Sequence, residues 1–266
     1  MIRDITLGQY YPADSVLHRL DPRVKLFGTL VYVVSLFLFQ SFTGYIAATV
    51  FLVSMIVLSH VPVSFMFRGL KAVFILLIIT AVLNSILTPG RELVSFWKIT
   101  ITIEGVRMAA FMVIRLIYLI VGSSIMTLTT TPSSLTDGLE RGLGWMKVLK
   151  VPVHEIAMMM SIALTFIPIL LEETDKIIKA QQARGADFDS GNLFRRIRAL
   201  VPILVPLFVS AFRRANDLAL AMESRCYRGG EGRTKLHPLK YTARDYAAYA
   251  VLDIYIVAIV VAGIYF

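Results

Sequence analysis

Long uncharged stretches alternate with charged ones through the first half of the chain. Leu26–Phe67, Ala72–Gly90 and Leu116–Thr136 contain no Asp, Glu, Lys or Arg, and Tyr246–Phe266 contains only Asp253. A hydrocarbon core about 30 Å thick takes about 20 apolar helical residues to cross. The first stretch is long enough for two passes, divided near Gln40-Ser41-Phe42-Thr43-Gly44. Five spans are therefore predicted, over about 25–40, 45–64, 70–89, 108–130 and 246–266.

The pattern changes after residue 130. Ile156–Leu171 and Ala199–Phe212 are apolar but only 16 and 14 residues long, short for a span. Each runs directly into a charged, helix-favouring segment. Two long amphipathic helices are predicted, over 153–183 and 192–226, lying at the cytoplasmic face. A shorter one, over 133–148, precedes them, with Ser133 or Ser134 as its N-cap after Pro132. Leu171–Asp245 carries 23 of the chain's 45 charged residues, so the division is one of charge as well as length. The predicted class is an all-α membrane protein in four parts: a cytoplasmic lead-in over 1–24, a four-span block over 25–130, a cytoplasmic helical domain over 131–240, and a last membrane helix over 241–266.

Composition agrees. Charged residues make up 17% of the chain and hydrophobic ones 57%, against about 25% and 45–50% in soluble domains. The net charge of +9 is informative through its placement. Arg19, Arg23 and Lys25 precede the first span, Arg68 and Lys71 follow the second, and Lys240 and Arg244 precede the last. The positive-inside rule then places the N-terminus in the cytoplasm and the C-terminus outside. The segment 91–107, with Arg91, Lys98 and Arg107, runs against this assignment. The first 25 residues lack the charged-then-apolar-then-small order of a cleaved leader. Cys226 is the sole cysteine, which excludes an internal disulfide and fits a reducing compartment. The cations are interspersed with acids along cytoplasmic segments, a pattern that suits anionic lipid rather than nucleic acid.

The two long helices resemble one another. The first contains Phe166–Leu170 (FIPIL) and ends Ala-Gln-Gln-Ala-Arg-Gly; the second contains Val201–Pro206 (VPILVP) and ends Ala-Met-Glu-Ser-Arg-Cys. Both ends fit Ala-x-x-small-Arg-small, with Arg184 and Arg225 41 residues apart. A proline within each stem, Pro168 and Pro206, removes a backbone donor and bends the helix. The plain reading of Arg184 is helix termination: an Arg in the last turn complements the helix dipole, and Gly185 supplies a left-handed residue. The functional reading is that Ala183 and Gly185, like Ser224 and Cys226, stay small so that a partner can approach a projecting guanidinium. Its rigid fork of donors suits carboxylates and carbonyls. Helix termination explains one such ending and leaves the repetition unexplained.

Catalytic patterns are missing. Cys226 has no His near it in sequence. The stretch 154–158 places Met where a zinc-protease helix needs a second His, and no Gly-x-x-x-x-Gly-Lys-Ser/Thr loop occurs. Neither a metal nor a cofactor is implied. Met158–Met160 suit adaptable packing. Asp253, the acid within the last span, is a functional candidate by default but is placed seven residues in, near the headgroups. In Tyr10–Leu26, Asp21 and Pro22 read as the N-cap and first residue of the first span.

Together, SVLHRLDPRVKL (Ser15–Leu26), FIPILLEETDKIIKAQQARGADF (Phe166–Phe188) and the second small-Arg-small ending resemble the transmembrane T component of energy-coupling factor transporters, and the related T components of cobalt and nickel uptake systems. The resemblance runs from Asp14 to the final span. It implies an L-shaped plasma-membrane protein with about five spans and long cytoplasmic coupling helices. Two ABC-type ATPase subunits would dock on the helix tips and a small substrate-binding membrane S component on the apolar faces. The family's coupling arginines map onto Arg184 and Arg225, with no catalysis in this chain. Ser224 and Cys226 depart from the commoner Ala-Arg-Gly. A dedicated cobalt or nickel system is the near alternative; a membrane enzyme and a self-sufficient transporter are the distant ones.

Overall fold

A computed structural model describes residues 10–38, 42–96, 99–186, 188, 193–230 and 238–265. The lead-in before residue 10, the first residue of the predicted 192–226 helix and residues 40 and 41 of the predicted break lie outside them; the rest of that break, Phe42–Gly44, is the first turn of the second helix. The elements in chain order are α1 (Pro22–Leu38), α2 (Phe42–Ser59), α3 (Val63–Leu87), β1 (Glu92–Phe96), β2 (Ile99–Thr102), α4 (Ile103–Thr129), α5 (Pro132–Gly142), a 3₁₀ helix (Gly144–Leu149), α6 (Val153–Ala183), α7 (Leu193–Ser224) and α8 (Ala243–Tyr265). The chain is predominantly helical, as its apolar periodicity predicts. The exception is the antiparallel hairpin β1–β2 in the segment read as a charged loop, with Phe96 opposite Ile99.

Among the described residues, five helices are long and apolar enough to cross a membrane: α2, α4, α6, α8 and the Arg198–Ser224 part of α7. The bent α3, whose Val63–Lys71 and Val73–Leu87 halves meet at 62°, makes a sixth. Length and apolarity thus do not separate α6 and α7 from the rest, although their apolar stretches read as short for a span. By contrast α1, read as the first span, is only 17 residues long and is not among these helices. The chain is a multi-pass membrane protein.

The helices cluster into two compact units. One comprises Gly8–Arg141 with Leu239–Phe266. In it α4 is the central helix, packing against α3, α1 and α2, while α8 packs on α2 and α1. Leu36, Ala48 and Met66 lie almost wholly inside. Gly122 lets α4 approach α1: a Cβ there would lie 2.3 Å from Cε1 of Tyr32. Tyr255 of α8 stacks on Phe51 of α2 with ring centroids 4.1 Å apart, and its hydroxyl pairs with Ser35 Oγ of α1 at 2.8 Å. Polar atoms in such a unit need internal partners, because lipid offers none. Accordingly the Thr49, Thr80, Ser124 and Thr127 hydroxyls donate to carbonyls one turn back.

The stretch Tyr10–Leu26 closes one end of this unit. Asp21 caps α1 by accepting from the Arg23 amide at 2.9 Å, with Pro22 at the first helical position, as read from sequence. Asp245, 1% exposed, accepts from the Asp21 amide at 2.8 Å and from the Thr242 amide and hydroxyl, both at 2.8 Å. One carboxylate thus holds the beginnings of α1 and α8 together. The last carbonyls of α4 are met as well: the Tyr11 amide donates to Leu128 O at 2.9 Å, and Lys25 Nζ donates to Thr129 O at 2.8 Å and His18 O at 3.2 Å. A cation is well placed at that negative helix end. His18 accepts from Ser15 Oγ at Nδ1 (2.7 Å) and donates from Nε2 to the Tyr11 carbonyl (2.9 Å). Burial holds its imidazole below the ordinary histidine value, so it is neutral at pH 7. Arg23 lies over the Tyr241 ring, 4.1 Å from its centroid.

The cap of α5 differs from the expected serine. The helix begins at Pro132, and Thr131 Oγ1 accepts from the Ser134 amide at 3.3 Å. Proline suits the first helical position, which moves the cap one residue back. The helix predicted over 133–148 also ends early, at Gly142, and continues as the 3₁₀ turns.

Candidate functional site

The second unit, Gly142–Pro238, contains the two arginine-bearing helix ends. α6 spans Val153–Ala183 and α7 spans Leu193–Ser224. Three contacts fix their register. Arg214 Nη2 lies 3.3 Å from Glu173 Oε2. Gln181 Nε2 donates to Pro202 O at 3.3 Å. Gly230, just past α7, lies against His154 at the start of α6, where a Cβ would meet the ring Cδ2 at 2.4 Å. As positions rise along α6 they fall along α7, so the pair is antiparallel. Arg184 and Arg225 therefore mark opposite ends of it, separated by about 24 residues of helix, or about 36 Å at 1.5 Å per residue.

The two ends share one backbone design. At the first, the Gly185 amide donates to Gln182 O at 2.9 Å and the Ala186 amide to Gln181 O at 3.0 Å, with Gly185 at φ +87°. At the second, the Cys226 amide donates to Glu223 O at 2.9 Å and the Tyr227 amide to Met222 O at 3.1 Å, with Cys226 at φ +56°. Each is a Schellman motif, in which a left-handed residue folds the chain back over the last carbonyls. Arg184 and Arg225 both occupy the position just before that residue, and both are exposed. Among the described residues neither guanidinium makes an ion pair.

This geometry gives the small residues after each arginine a backbone reason. The residue after each arginine must take positive φ, which costs an L-residue about 1–2 kcal/mol and glycine almost nothing. Ala183 and Ser224, in the last helical turn, are exposed beside the arginines, and Ser224 Oγ donates back to Ala221 O at 2.9 Å. Replacing Gly185 with Ala should weaken the α6 end by about 1 kcal/mol, and Cys226→Gly should strengthen the α7 end by up to about the same. Amide hydrogen exchange in the two last turns checks this: protection falls about fivefold in the first variant and rises in the second. Unchanged protection in both would mean that the left-handed residues are not what holds these ends.

Gln181 is a site residue that sequence reasoning missed. Pro206 has no amide hydrogen, so the carbonyl four residues earlier, Pro202 O, loses its helical partner. Gln181 supplies the replacement from α6. Its position three residues before Arg184 ties that tip to the bend of α7. Glu173 and Arg214 form a second cross-link, also unread from sequence because neither partner predicts the other locally. Asp253 lies on the outer side of α8, away from buried Leu252 and Tyr255.

Both helices carry uncovered apolar stripes. On α7, Val201, Val205, Phe208 and Phe212 recur at helical spacing and are all exposed; on α6, Ile156, Met160, Ala163 and Ile167 do the same. The unit thus presents two long helical stems, each with an exposed arginine at its end and an exposed apolar stripe along one side.

Comparison with known proteins gives a consistent result. The profile of CbiQ, described as cobalt transport protein, matches residues 13–236. The chain is similar to the energy-coupling factor transporter transmembrane protein EcfT of Clostridium kluyveri, 56% identical over 93% of this chain and 93% of that one. The EcfT of Thermosediminibacter oceani is 54% identical over 93% and 94%, and that of Lactococcus lactis subsp. cremoris 45% over 92% of each.

Proposed function

The chain belongs to the CbiQ/EcfT family of transmembrane components of energy-coupling factor transporters, and from that premise we propose that it passes ATP-driven movement from two ABC-type ATPase subunits to a small S component that carries a vitamin or other micronutrient. The ATPases dock at the Arg184 and Arg225 tips. The S component lies on the apolar stripes of α6 and α7. ATP binding and hydrolysis take place in the ATPases, and no bond is made or broken in this chain. The observation that supports the reading is the pair of matching Schellman-ended tips, each presenting an exposed arginine that makes no ion pair among the described residues. Two equivalent knobs at opposite ends of one helix pair suit two equivalent soluble partners.

The same reading sets the chain in the plasma membrane, with the N-terminus and the α6–α7 unit cytoplasmic. Arg19, Arg23 and Lys25 before the first span and Arg141, Lys147 and Lys150 after α4 support that orientation. A dedicated cobalt or nickel system is the second reading, supported by the description of the matching family. Intact-complex mass spectrometry on material purified through this chain tests both. The expected complex holds two ATP-binding subunits and one small membrane protein, and the cargo bound by that protein, organic or metal, selects between the readings. A chain that purifies without ATP-binding subunits from a membrane that contains them would sink the proposal.

A further inference from the structure

We propose that Arg141–Lys150, which leads from α5 into α6, is an interfacial anchor that seats on an anionic lipid surface. The 3₁₀ helix Gly144–Leu149 repeats every three residues, so side chains three apart share a face. Trp145 and Val148 form one face and are 64% and 87% exposed; Leu149, on the adjoining face, is 62% exposed. Lys147, on the remaining face, and Lys150, just past the helix, are exposed, as is Arg141 one helix end earlier. Apolar and cationic groups are thus sorted onto separate sides of two turns. Such sorting is unusual for a loop and brings no burial within the chain.

Three observations identify the occupant as lipid headgroups. The first is charge: between Glu140 and Glu155 the segment holds Arg141, Lys147 and Lys150 and no acid. Cations this close to an anionic leaflet are drawn to it, and their attractions add. The second is side-chain type, since Trp with aliphatic neighbours and flanking Lys is the composition that settles at the headgroup level. The third is reach. α4 is a span ending at Thr129, and the covalent chain from there, mostly the 11-residue α5, keeps the segment within about 30 Å of that end. The backbone is also turned sharply. Lys150 sits at φ +59°, and the Val153 amide donates to Val151 O at 2.8 Å around Pro152. α6 therefore departs immediately after the anchor.

Trp145 is one of two tryptophans, which makes the test direct. Chain carrying Trp97→Phe is reconstituted in phosphatidylcholine vesicles with and without phosphatidylglycerol, using lipids brominated high on the acyl chain. The expected result is Trp145 emission quenched at least twofold by the brominated lipid, more strongly with phosphatidylglycerol. That increment should disappear in Lys147→Glu/Lys150→Glu. Should Trp97→Phe fold poorly, the difference in quenching between unaltered chain and Trp145→Phe gives the same quantity. Solvent-like emission insensitive to brominated lipid overturns the proposal. So does blue-shifted emission without lipid quenching, which would mean that a protein surface covers Trp145. Quenching equal in neutral and anionic vesicles overturns the assignment to an anionic surface.

Discussion

Arg184→Glu combined with Arg225→Glu should abolish co-purification of the ATPase subunits while leaving the membrane protein folded. Each guanidinium is exposed and terminates a helix whose last carbonyls are already met by backbone amides. Its share in chain stability is therefore the dipole interaction, about 0.3–1 kcal/mol. At an interface the same group is worth far more, since a buried arginine anchor costs about 2 kcal/mol or more when lost, roughly 30-fold in affinity. Reversal adds repulsion from the carboxylates or carbonyls that a guanidinium fits. A single reversal should weaken capture by at least about 30-fold at that tip and leave the other engaged. The double variant removes both engagements and with them the avidity of a two-point grip. Arg184→Gln and Arg225→Gln, which delete charge without reversing it, should fall between. Pull-down and vesicle uptake read the loss; thermal melting of the isolated chain should move by only a few degrees. ATPase capture and uptake that survive the double reversal would refute docking at the tips.

Asp245→Asn should be the most damaging single substitution in the transmembrane unit. The carboxylate lies inside and accepts three hydrogen bonds, from Asp21 and twice from Thr242. Bonds to a charged acceptor contribute about 1.5–3 kcal/mol each. An amide keeps one oxygen acceptor and turns a donor toward a donor, so at least one bond becomes a repulsion. The negative charge at the starts of two helices is lost as well, about 0.3–1 kcal/mol apiece. The sum is about 3–5 kcal/mol, which predicts a fall of roughly 10 °C in melting temperature for a domain of this size. A fall under 2 °C would show that water or another group satisfies these donors. Thr242→Ala should cost less, since it removes one hydroxyl bond and leaves both amides paired.

What the sequence made legible is what depends on neighbours along the chain. The positions of α2, α3, α4 and α8, the two long helices and the Asp21-Pro22 start of α1 follow from apolar length and capping chemistry within a few residues. Apolar length misjudged α1, which falls short of a span, and α6 and α7, which do not. Thr131 was displaced from the expected Ser133 or Ser134 because proline at the first helical position pushes the cap to the residue before it. The β1–β2 hairpin was legible in the alternation of Val94, Phe96, Ile99 and Ile101, but the charges around it drew the reading toward a loop. Asp245 was not legible as a clamp: its partner Asp21 is 224 positions away, and nothing local distinguishes it from a surface acid. The arginine tips lie between these cases. The repeat of small-Arg-small was visible, whereas its backbone cause needed the dihedral angles of Gly185 and Cys226.

The bond from Gln181 to Pro202 sets where a push on the α6 tip will go. Away from its two prolines, bending of α7 must strain backbone hydrogen bonds that reinforce one another. At the proline break the substitute bond comes from a side chain on another helix and is worth about 1 kcal/mol, under twice the thermal energy. The helix pair is therefore compliant at that joint. A load applied at Arg184 reaches the joint through three residues of α6. α7 should answer such a load as a jointed lever, with its bend angle as the quantity that changes.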